Sequence, residues 1–219
     1  MHFEILVEDQ SGKKALDILV PKIVKPGNTF KIISYKGIGR IPGNLNVERD
    51  PAKRILLDQL PKLLKGYGNA FSNYPVEYPA TVVLVCDLDE KELTTFKAEL
   101  HAVLASCNPA PMTRFCIAIE EGEAWFLGDI DAVKAAYPNA KDAVLASYSN
   151  DSIVGTWEVL ANALYRGGAH ALSSQGWQKV GAEKSAWAER ISPHMDVENN
   201  NSPSFRYFRD QVRELADAQ

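Results

Sequence analysis

Two apolar runs that end in carboxylates constrain the fold of this chain more than any other feature. The first covers residues 3–8 (FEILVE) and the second covers residues 81–89 (TVVLVCDLD). Unbroken runs rich in valine and leucine are typical of parallel strands that helices cover on both faces. Ligands of such sheets bind at the carboxyl ends of the strands. The pattern therefore predicts that Glu8, Asp87 and Asp89 meet at one edge of a parallel sheet.

Strand and helix patterns alternate along the first 119 residues. Strands are predicted at 3–8, 29–35, 80–86 and 113–119, and helices at 11–24, 51–64 and 90–104. Ser11 and Asp89 are the predicted caps of the first and third helices. Because strand–helix–strand units form right-handed crossovers, this order predicts an α/β fold with a mostly parallel sheet flanked by helices.

The pattern changes to helices alone in the last third of the chain. Helices are predicted at 130–136, 153–164, 182–190 and 204–216. These segments contain few strand-like runs and have only moderate apolar density, so they are expected to dock on the sheet. The sequence predicts an α/β core of residues 1–125 and a helical C-terminal extension of residues 126–219, packed as a single compact unit.

Composition narrows the classes of protein to which the chain can belong. The 219 residues carry a formal net charge of -4, which divides into +5 for residues 1–70 and -9 for the remainder. A basic half beside an acidic sheet edge suits a polyanion, although an ordinary solvated surface explains the same imbalance. The first apolar run contains Glu4 and Glu8, unlike a secretion signal, and no run is long enough to span a membrane. A cytoplasmic protein with no membrane partner is expected.

Carboxylates at strand ends have two explanations. Acidic residues there often cap the next helix, and an isolated Asp-x-Asp pair such as Asp87 and Asp89 usually does so. Glu8, at an equivalent strand end, favours a metal site over helix capping, because three hard oxygen donors with no neighbouring cysteine or histidine suit Mg²⁺ or Mn²⁺. The sequence predicts such a metal site and, with it, phosphate chemistry.

Four short segments resemble a bacterial Toprim-like family of uncharacterised proteins. They are residues 7–11 (VEDQS), 85–89 (VCDLD), 119–129 (IEEGEAWFLGD) and 202–205 (SPSF). The order of a strand ending in Glu8, a helix, and a later strand ending in Asp87 and Asp89 is similar to the Toprim domain of topoisomerases, primases and overcoming-lysogenization-defect nucleases. The resemblance implies a Toprim-like, Rossmann-like sheet.

The same resemblance implies specific roles for the acidic residues. Glu8 matches the Toprim glutamate, and Asp87 and Asp89 match its metal-binding aspartate pair. Glu123, in the Glu-Ala-Trp segment, would add a further metal ligand, although some residues of the acidic stretch Glu120, Glu121 and Glu123 must be merely solvated. The chain departs from the family pattern at Asp9, where a glycine is common, and at Gly12, where a second acidic residue is common.

Three basic residues are candidate contacts to a substrate. Lys36 and Arg40 flank two glycines in a loop that could place backbone N–H groups near a phosphate, although an ordinary turn explains the same sequence. Lys184 lies where the resemblance places polar residues that contact the substrate, although such lysines are more often surface charges. The four tryptophans are predicted to pack in the interior rather than to stack on bases.

These residues lead to a functional prediction with alternatives. We expect a metal-dependent nuclease that cleaves DNA or RNA through Glu8, Asp87 and Asp89. The resemblance also implies a separate ATPase partner and a role as effector in bacterial defence against phage, and it leaves a homo-oligomer open. The first alternative is a non-catalytic Toprim-like regulatory or scaffold subunit, and the second is a small-molecule phosphohydrolase.

Overall fold

The sheet of this protein is fully parallel. The computed structural model describes residues 1–45, 50–152 and 155–217. Its strands are β1 (His2–Val7), β2 (Thr29–Ser34), β3 (Ala80–Asp87) and β4 (Thr113–Ala118), in the spatial order β2-β1-β3-β4. Every neighbouring pair is parallel. The predicted α/β class, with a Rossmann-like parallel sheet flanked by helices, is confirmed.

The strand order creates a switch point between β1 and β3. From β1 the chain crosses to β2 on one side, and it later returns to place β3 on the other side. Val7, at the end of β1, is in register with Ser34 of β2 and Val85 of β3. In sheets of this kind, a crevice opens at the carboxyl ends of the two strands where the order reverses. Glu8 and Asp87 follow Val7 and Val85 closely and so lie at this crevice.

Ten α-helices lie in the described parts of the chain. They are α1 (Gln10–Ile23), α2 (Leu56–Phe71), α3 (Leu93–Ala105), α4 (Glu123–Leu127), α5 (Ile130–Ala136), α6 (Asp142–Leu145), α7 (Thr156–Leu164), α8 (Gly168–Ser173), α9 (Trp177–Ile191) and α10 (Pro203–Asp217). Of these, α4, α6 and α8 were not predicted, because four to six residues are too few to show a helical period. Residues 153 and 154 of the predicted helix 153–164 lie outside the described residues.

Each face of the sheet has its own apolar core. On one face α2 and α3 share a core with alternate strand residues, and this core contains Leu60, Leu84 and Phe96. On the other face α1 shares a core with the C-terminal helices, which contains Phe3 of β1 and Trp187 of α9. The helical C-terminal extension and α1 therefore cover this face of the sheet together. No helix in the described residues is both long and apolar enough to cross a membrane.

The predicted helix starts need correction. Asp9, not Ser11, caps α1: its carboxylate accepts from the Gly12 N–H at 2.8 Å, and the Ser11 hydroxyl donates to it at 2.7 Å. Glu92, not Asp89, caps α3 by accepting from the first-turn N–H groups. At residue 51 the predicted helix is a single 3₁₀ turn, because Arg54 adopts a left-handed conformation (φ +53°) that interrupts it before α2 begins.

Candidate active site

The structure brings Glu8 and Asp87 together at the switch point. Glu8 directly follows β1, and Asp87 is the last residue of β3, the neighbouring strand. The backbone N–H of Asp87 donates to Glu8 Oε2 at 3.3 Å. Two strand-end carboxylates from distant parts of the sequence therefore share one crevice, as the apolar runs predicted.

A small cavity of about 40 Å³ lies beside these two carboxylates. Glu8, Asp9, Asp87, Glu123 and Lys184 supply its charged lining, and much of the remaining wall is apolar: Val7, Ala15, Leu16, Val85, Ala118, Trp125 and Phe126. A water molecule needs about 10–15 Å³ of such volume, so the cavity holds only a few waters or ions. Several charges thus share a space that water screens weakly.

Glu123 and Lys184 come from helices of the last hundred residues. Glu123 is in the first turn of α4 and is only 3% exposed. Lys184, on α9, places Nζ 3.0 Å from Glu123 Oε2 and 3.5 Å from Glu121 Oε1. The sequence predicted a substrate contact for Lys184, and the structure places its ammonium group inside the acidic cluster. The C-terminal extension therefore completes the site.

Crowding of carboxylates changes their proton affinities. Burial raises the pKa of Glu8 to about 7, and the charges of Asp89 and Asp9 add to the rise, while the Asp87 N–H and Lys184 oppose it. Burial and the charge of Glu8 also raise the pKa of Asp87. Such shifts mark an excess of negative charge in a poorly solvated place.

Lys184 offsets part of this negative charge. Burial lowers the pKa of Lys184, but Glu123, Glu121 and Asp87 outweigh that effect and raise it. Burial raises the pKa of Glu121 to about 7 and also raises the pKa of Glu123. The ammonium group of Lys184 lowers both values and so opposes this effect of burial. One lysine faces several carboxylates, so the cluster keeps capacity for a further cation.

Asp89 lies outside the cavity. The backbone turns sharply after β3, where Asp89 has φ +50°, and its N–H donates to the Glu120 carbonyl at 2.9 Å. Its carboxylate pairs with Lys91 at 3.0 Å. Asp89 lines a neighbouring groove of about 750 Å³. It acts on Glu8 through its charge and not through a contact.

The loop that contains Lys36 and Arg40 borders the site without entering the cavity. The Gly37 N–H donates to the Glu8 carbonyl at 3.1 Å, which fixes the loop beside the end of β1. Arg40 is exposed and lines the groove that contains Asp89, and its backbone N–H donates to Asp58 Oδ1 at 3.1 Å. Lys36 is exposed and lines neither space.

Glu120 and Glu121 have roles that the sequence did not predict. The Glu120 carboxylate accepts from the N–H groups of Gly155 (2.7 Å) and Thr156 (2.9 Å) and from the Thr156 hydroxyl. Glu121 Oε2 accepts from the Trp157 N–H at 3.2 Å. Some acidic residues of this stretch were expected to be solvated, but Glu120 and Glu121 cap α7. No local signal shows this, since the partners lie 35 and 36 residues away.

One known family matches a region of the chain that contains all the charged residues of the cavity. A family model described as a domain of unknown function, DUF4276, matches residues 7–213. The chain belongs to the DUF4276 family. No curated protein and no solved structure matches it. The match includes Glu8, Asp87, Glu123 and Lys184, so the DUF4276 region contains every charged side chain of the cavity.

The donor chemistry of this DUF4276 site fits a hard divalent cation. Glu8, Asp87 and Glu123 offer carboxylate oxygens, the ligands that Mg²⁺ and Mn²⁺ prefer, and burial is the main reason that the pKa of each is raised. Within the described residues, however, no three acidic, histidine or cysteine side chains are already arranged to hold a metal ion. Binding would require adjustment of side chains in the cavity.

Proposed function

We propose that this protein is a divalent-metal-dependent phosphodiesterase that cleaves nucleic acid. One observation carries the proposal: the carboxylates of Glu8 and Asp87, from adjacent parallel strands, meet at the switch point beside the buried Glu123. The crevice at the carboxyl ends of such strands is where open α/β sheets bind their ligands. The resemblance of Glu8, Asp87 and Asp89 to the Toprim pattern supports the same function.

Each residue has a distinct role in the proposal. Glu8, Asp87 and Glu123 would hold Mg²⁺ or Mn²⁺, which when bound polarises a phosphoryl oxygen and activates water. Because burial raises the pKa of Glu8 to about 7 in the metal-free protein, Mg²⁺ or Mn²⁺ would compete with a proton for this carboxylate near neutral pH. Lys184 holds Glu123 in place through the 3.0 Å ion pair. Arg40, at the rim of the adjacent groove, would contact a substrate phosphate.

The Toprim resemblance extends the proposal to the cellular setting. The nucleases that carry a related domain suggest a separate ATPase partner and a role in defence against phage, and the sequence pattern at the start of the chain suggests a cytoplasmic location. The partner and the defence role rest on analogy with a family of related architecture and not on a contact in this protein.

Cleavage assays test the proposal directly. Plasmid DNA, single-stranded DNA and structured RNA are incubated with the protein in Mn²⁺ or Mg²⁺, with EDTA as a blank. We expect Glu8→Gln and Asp87→Asn to abolish cleavage and Mn²⁺ binding by calorimetry, because each removes a negatively charged ligand. Asp17→Asn is the matched control, since Asp17 pairs with Lys13 on the surface of α1. Equal cleavage by Asp87→Asn and the unmodified protein would refute the assignment.

Asp89 distinguishes a site confined to the cavity from one that also uses the groove. If the cavity alone holds the metal, Asp89→Asn keeps the number of bound Mn²⁺ ions and changes the affinity only modestly, because Asp89 pairs with Lys91 outside the cavity and acts on Glu8 through its charge. Loss of one bound Mn²⁺ per chain in Asp89→Asn would instead show a second metal position that includes the groove.

A non-catalytic scaffold is the second candidate, and a specific observation favours it. Lys184 already supplies a cation to the cluster, and the described residues contain no ready-made group of three metal ligands. A scaffold of this kind binds no Mn²⁺ in calorimetry and cleaves none of the three substrates. In that case Lys184→Met alters folding stability alone, whereas in a metal enzyme it also changes Mn²⁺ affinity.

A further inference from the structure

The carboxylates of the acidic cluster differ in how many hydrogen bonds they already accept. Both oxygens of Asp9 are engaged at the start of α1, one by the Gly12 N–H at 2.8 Å and the other by the Ser11 hydroxyl at 2.7 Å. By contrast, the Asp87 carboxylate and Glu8 Oε1 accept no hydrogen bond from any residue that the structure describes. Both residues line the cavity, so this part of it offers a cation carboxylate oxygens that no hydrogen bond occupies.

The Lys184 ammonium group occupies the other part of the cluster. Its Nζ lies 3.0 Å from Glu123 Oε2 and 3.5 Å from Glu121 Oε1. The second oxygen of Glu121 accepts from the Trp157 N–H at 3.2 Å, so both oxygens of this carboxylate are engaged. A metal ion that bridged Glu121 and Glu123 would have to lie where the ammonium group already lies.

The packing of α9 fixes Lys184 in this position. Val180, Trp187 and Ile191 are at most 3% exposed, and their spacing of three, four and seven residues from Lys184 puts all four side chains on one helix face. α9 begins at Trp177, which is 78% exposed and so departs from the predicted interior position, whereas the other three tryptophans are buried as predicted. Because apolar anchors lie on both sides of Lys184 along the helix, its ammonium group is held in the cluster.

Charge balance also limits the number of metal ions. Glu8, Asp9, Asp87 and Glu123 give the cavity lining four negative charges when all are ionised, and Lys184 reduces the net charge to -3. Burial lowers the pKa of Lys184 but the surrounding carboxylates raise it by more, so its ammonium group stays charged at neutral pH. One divalent ion brings the net charge to -1, whereas a second would make it positive in a poorly solvated space. Without Lys184, two divalent ions would balance the four carboxylates.

We propose that the Lys184 ammonium group takes the place of a second metal ion, so that the cavity binds a single divalent cation through Glu8, Asp87 and Glu123. Glu123 can serve both cations, because a carboxylate has two oxygens. The inference rests on the proposed function, which supplies the metal. Sites with two metal ions hold them about 3.5–4 Å apart so that both stabilise the reacting phosphate. In this protein Lys184 would supply the second positive charge permanently, and the site would need only one ion per chain.

Counting bound Mn²⁺ tests the inference without reference to activity. Metal-free protein is titrated with Mn²⁺ by calorimetry, and electron paramagnetic resonance reports whether the bound ions are isolated or coupled. We expect one isolated Mn²⁺ per chain in the unmodified protein and two coupled ions, about 3.5–4 Å apart, in Lys184→Gln. Lys184→Arg keeps the positive charge and should bind one ion. Lys179→Gln, which removes only a surface pair with Glu183, is the control and should also bind one.

Glu121→Gln tests the assignment of the two positions while Lys184 stays in place. If Lys184 and not a metal ion occupies the position at Glu121, this variant should keep one Mn²⁺ per chain, whereas Asp87→Asn should lose it. The comparison remains decisive if Lys184→Gln does not fold. Two ions in the unmodified protein, a single ion in folded Lys184→Gln, or loss of the ion in Glu121→Gln would overturn the inference.

The outcomes also separate this inference from the proposed function. One ion in the unmodified protein and two in Lys184→Gln, without cleavage of any nucleic acid, support the role of Lys184 and refute the nuclease. Cleavage that depends on Mn²⁺, with the same number of ions in the unmodified protein and in Lys184→Gln, supports the nuclease and refutes the role of Lys184. Absence of Mn²⁺ binding in the unmodified protein refutes both.

Discussion

Lys184 Nζ lies 3.0 Å from Glu123 Oε2, which joins α9 near the end of the chain to the acidic cluster at the end of the sheet. The side chain of Glu123 is 4% exposed and that of Lys184 is 17% exposed, so this pair is largely withdrawn from water. Removing one partner of a buried pair leaves an uncompensated charge. The C-terminal extension therefore sets the electrostatics of the site as well as covering the sheet.

Replacing Lys184 tests this electrostatic role. Lys184→Met should lower the free energy of unfolding by about 3–5 kcal/mol at pH 8, because Glu123 and Glu121 lose their counter-charge. The loss should shrink at pH 5.5, where the carboxylates can take up protons. Urea unfolding followed by tryptophan fluorescence measures both values. Lys179→Met on the same helix is the control, since Lys179 makes only a surface pair with Glu183 and should leave the stability close to that of the unmodified protein.

The raised pKa of Glu8 predicts that one part of the stability decreases as the pH rises. The folded pKa of about 7 exceeds the ordinary value of 4.5, so between these pH values the folded state binds more protons than the unfolded state. This contribution to stability is therefore complete below about pH 4.5 and is lost as the pH rises through 7. At pH 8 the folded protein must hold Glu8 in its unfavourable ionised form. Glu8→Gln removes that cost and should stabilise the metal-free protein at pH 8 by up to about 3 kcal/mol.

Urea unfolding in EDTA at pH 5.5 and pH 8 measures the effect of Glu8→Gln. The glutamine carbonyl can still accept from the Asp87 N–H, so the variant changes charge more than contacts. Asp17→Asn, at the surface of α1, should follow the unmodified protein at both pH values. An identical pH slope in Glu8→Gln and the unmodified protein would show that Glu8 is not the group that titrates.

The convergence of Glu8 and Asp87 could be predicted, whereas the position of Asp89 could not. Parallel strands align their carboxyl ends, so an acidic residue after each apolar run must reach the same edge of the sheet. Asp89 lies only two residues beyond Asp87, but the left-handed turn at φ +50° directs its side chain away from the cavity. An Asp-x-Asp pattern shows no sign of that turn.

The contribution of Lys184 depends on tertiary packing. Its position in the cluster follows from the docking of α9 on α1, which buries Leu16, Trp187 and their neighbours in one core. Docking of this kind joins segments more than 150 residues apart, and no local pattern around Lys184 distinguishes it from a surface lysine. The same holds for Glu120, whose partners on α7 are distant in sequence.

Glu120 is predicted to stabilise the start of α7. Its carboxylate accepts from two N–H groups and one hydroxyl, so Glu120→Ala should lower the free energy of unfolding by about 1–2 kcal/mol. Hydrogen exchange at Gly155 and Thr156 should accelerate more than exchange in β1. Glu90→Ala, at an exposed position, is the control and should have little effect. Unchanged exchange at Gly155 would contradict the capping role.

Lys22 is predicted to stabilise the contact between α1 and the end of α9, which the ion pair between Lys14 and Glu189 also joins. Its ammonium group donates to the carbonyls of Ser192 (2.9 Å), Pro193 (2.8 Å) and Met195 (3.0 Å), which follow the last residues of α9. A cation suits this place, because carbonyl groups at a helix C-terminus lack partners and carry partial negative charge.

Lys22→Met keeps most of the side-chain volume and removes all three hydrogen bonds. We expect it to lower the free energy of unfolding by about 2–3 kcal/mol, since hydrogen bonds to charged groups contribute more than neutral ones and the carbonyls lose their donor. Lys25→Met is the matched control, because Lys25 is exposed and pairs only with Asp217 at the surface. If both variants unfold at the same urea concentration as the unmodified protein, the hydrogen bonds of Lys22 do not stabilise the packing of α9 on α1.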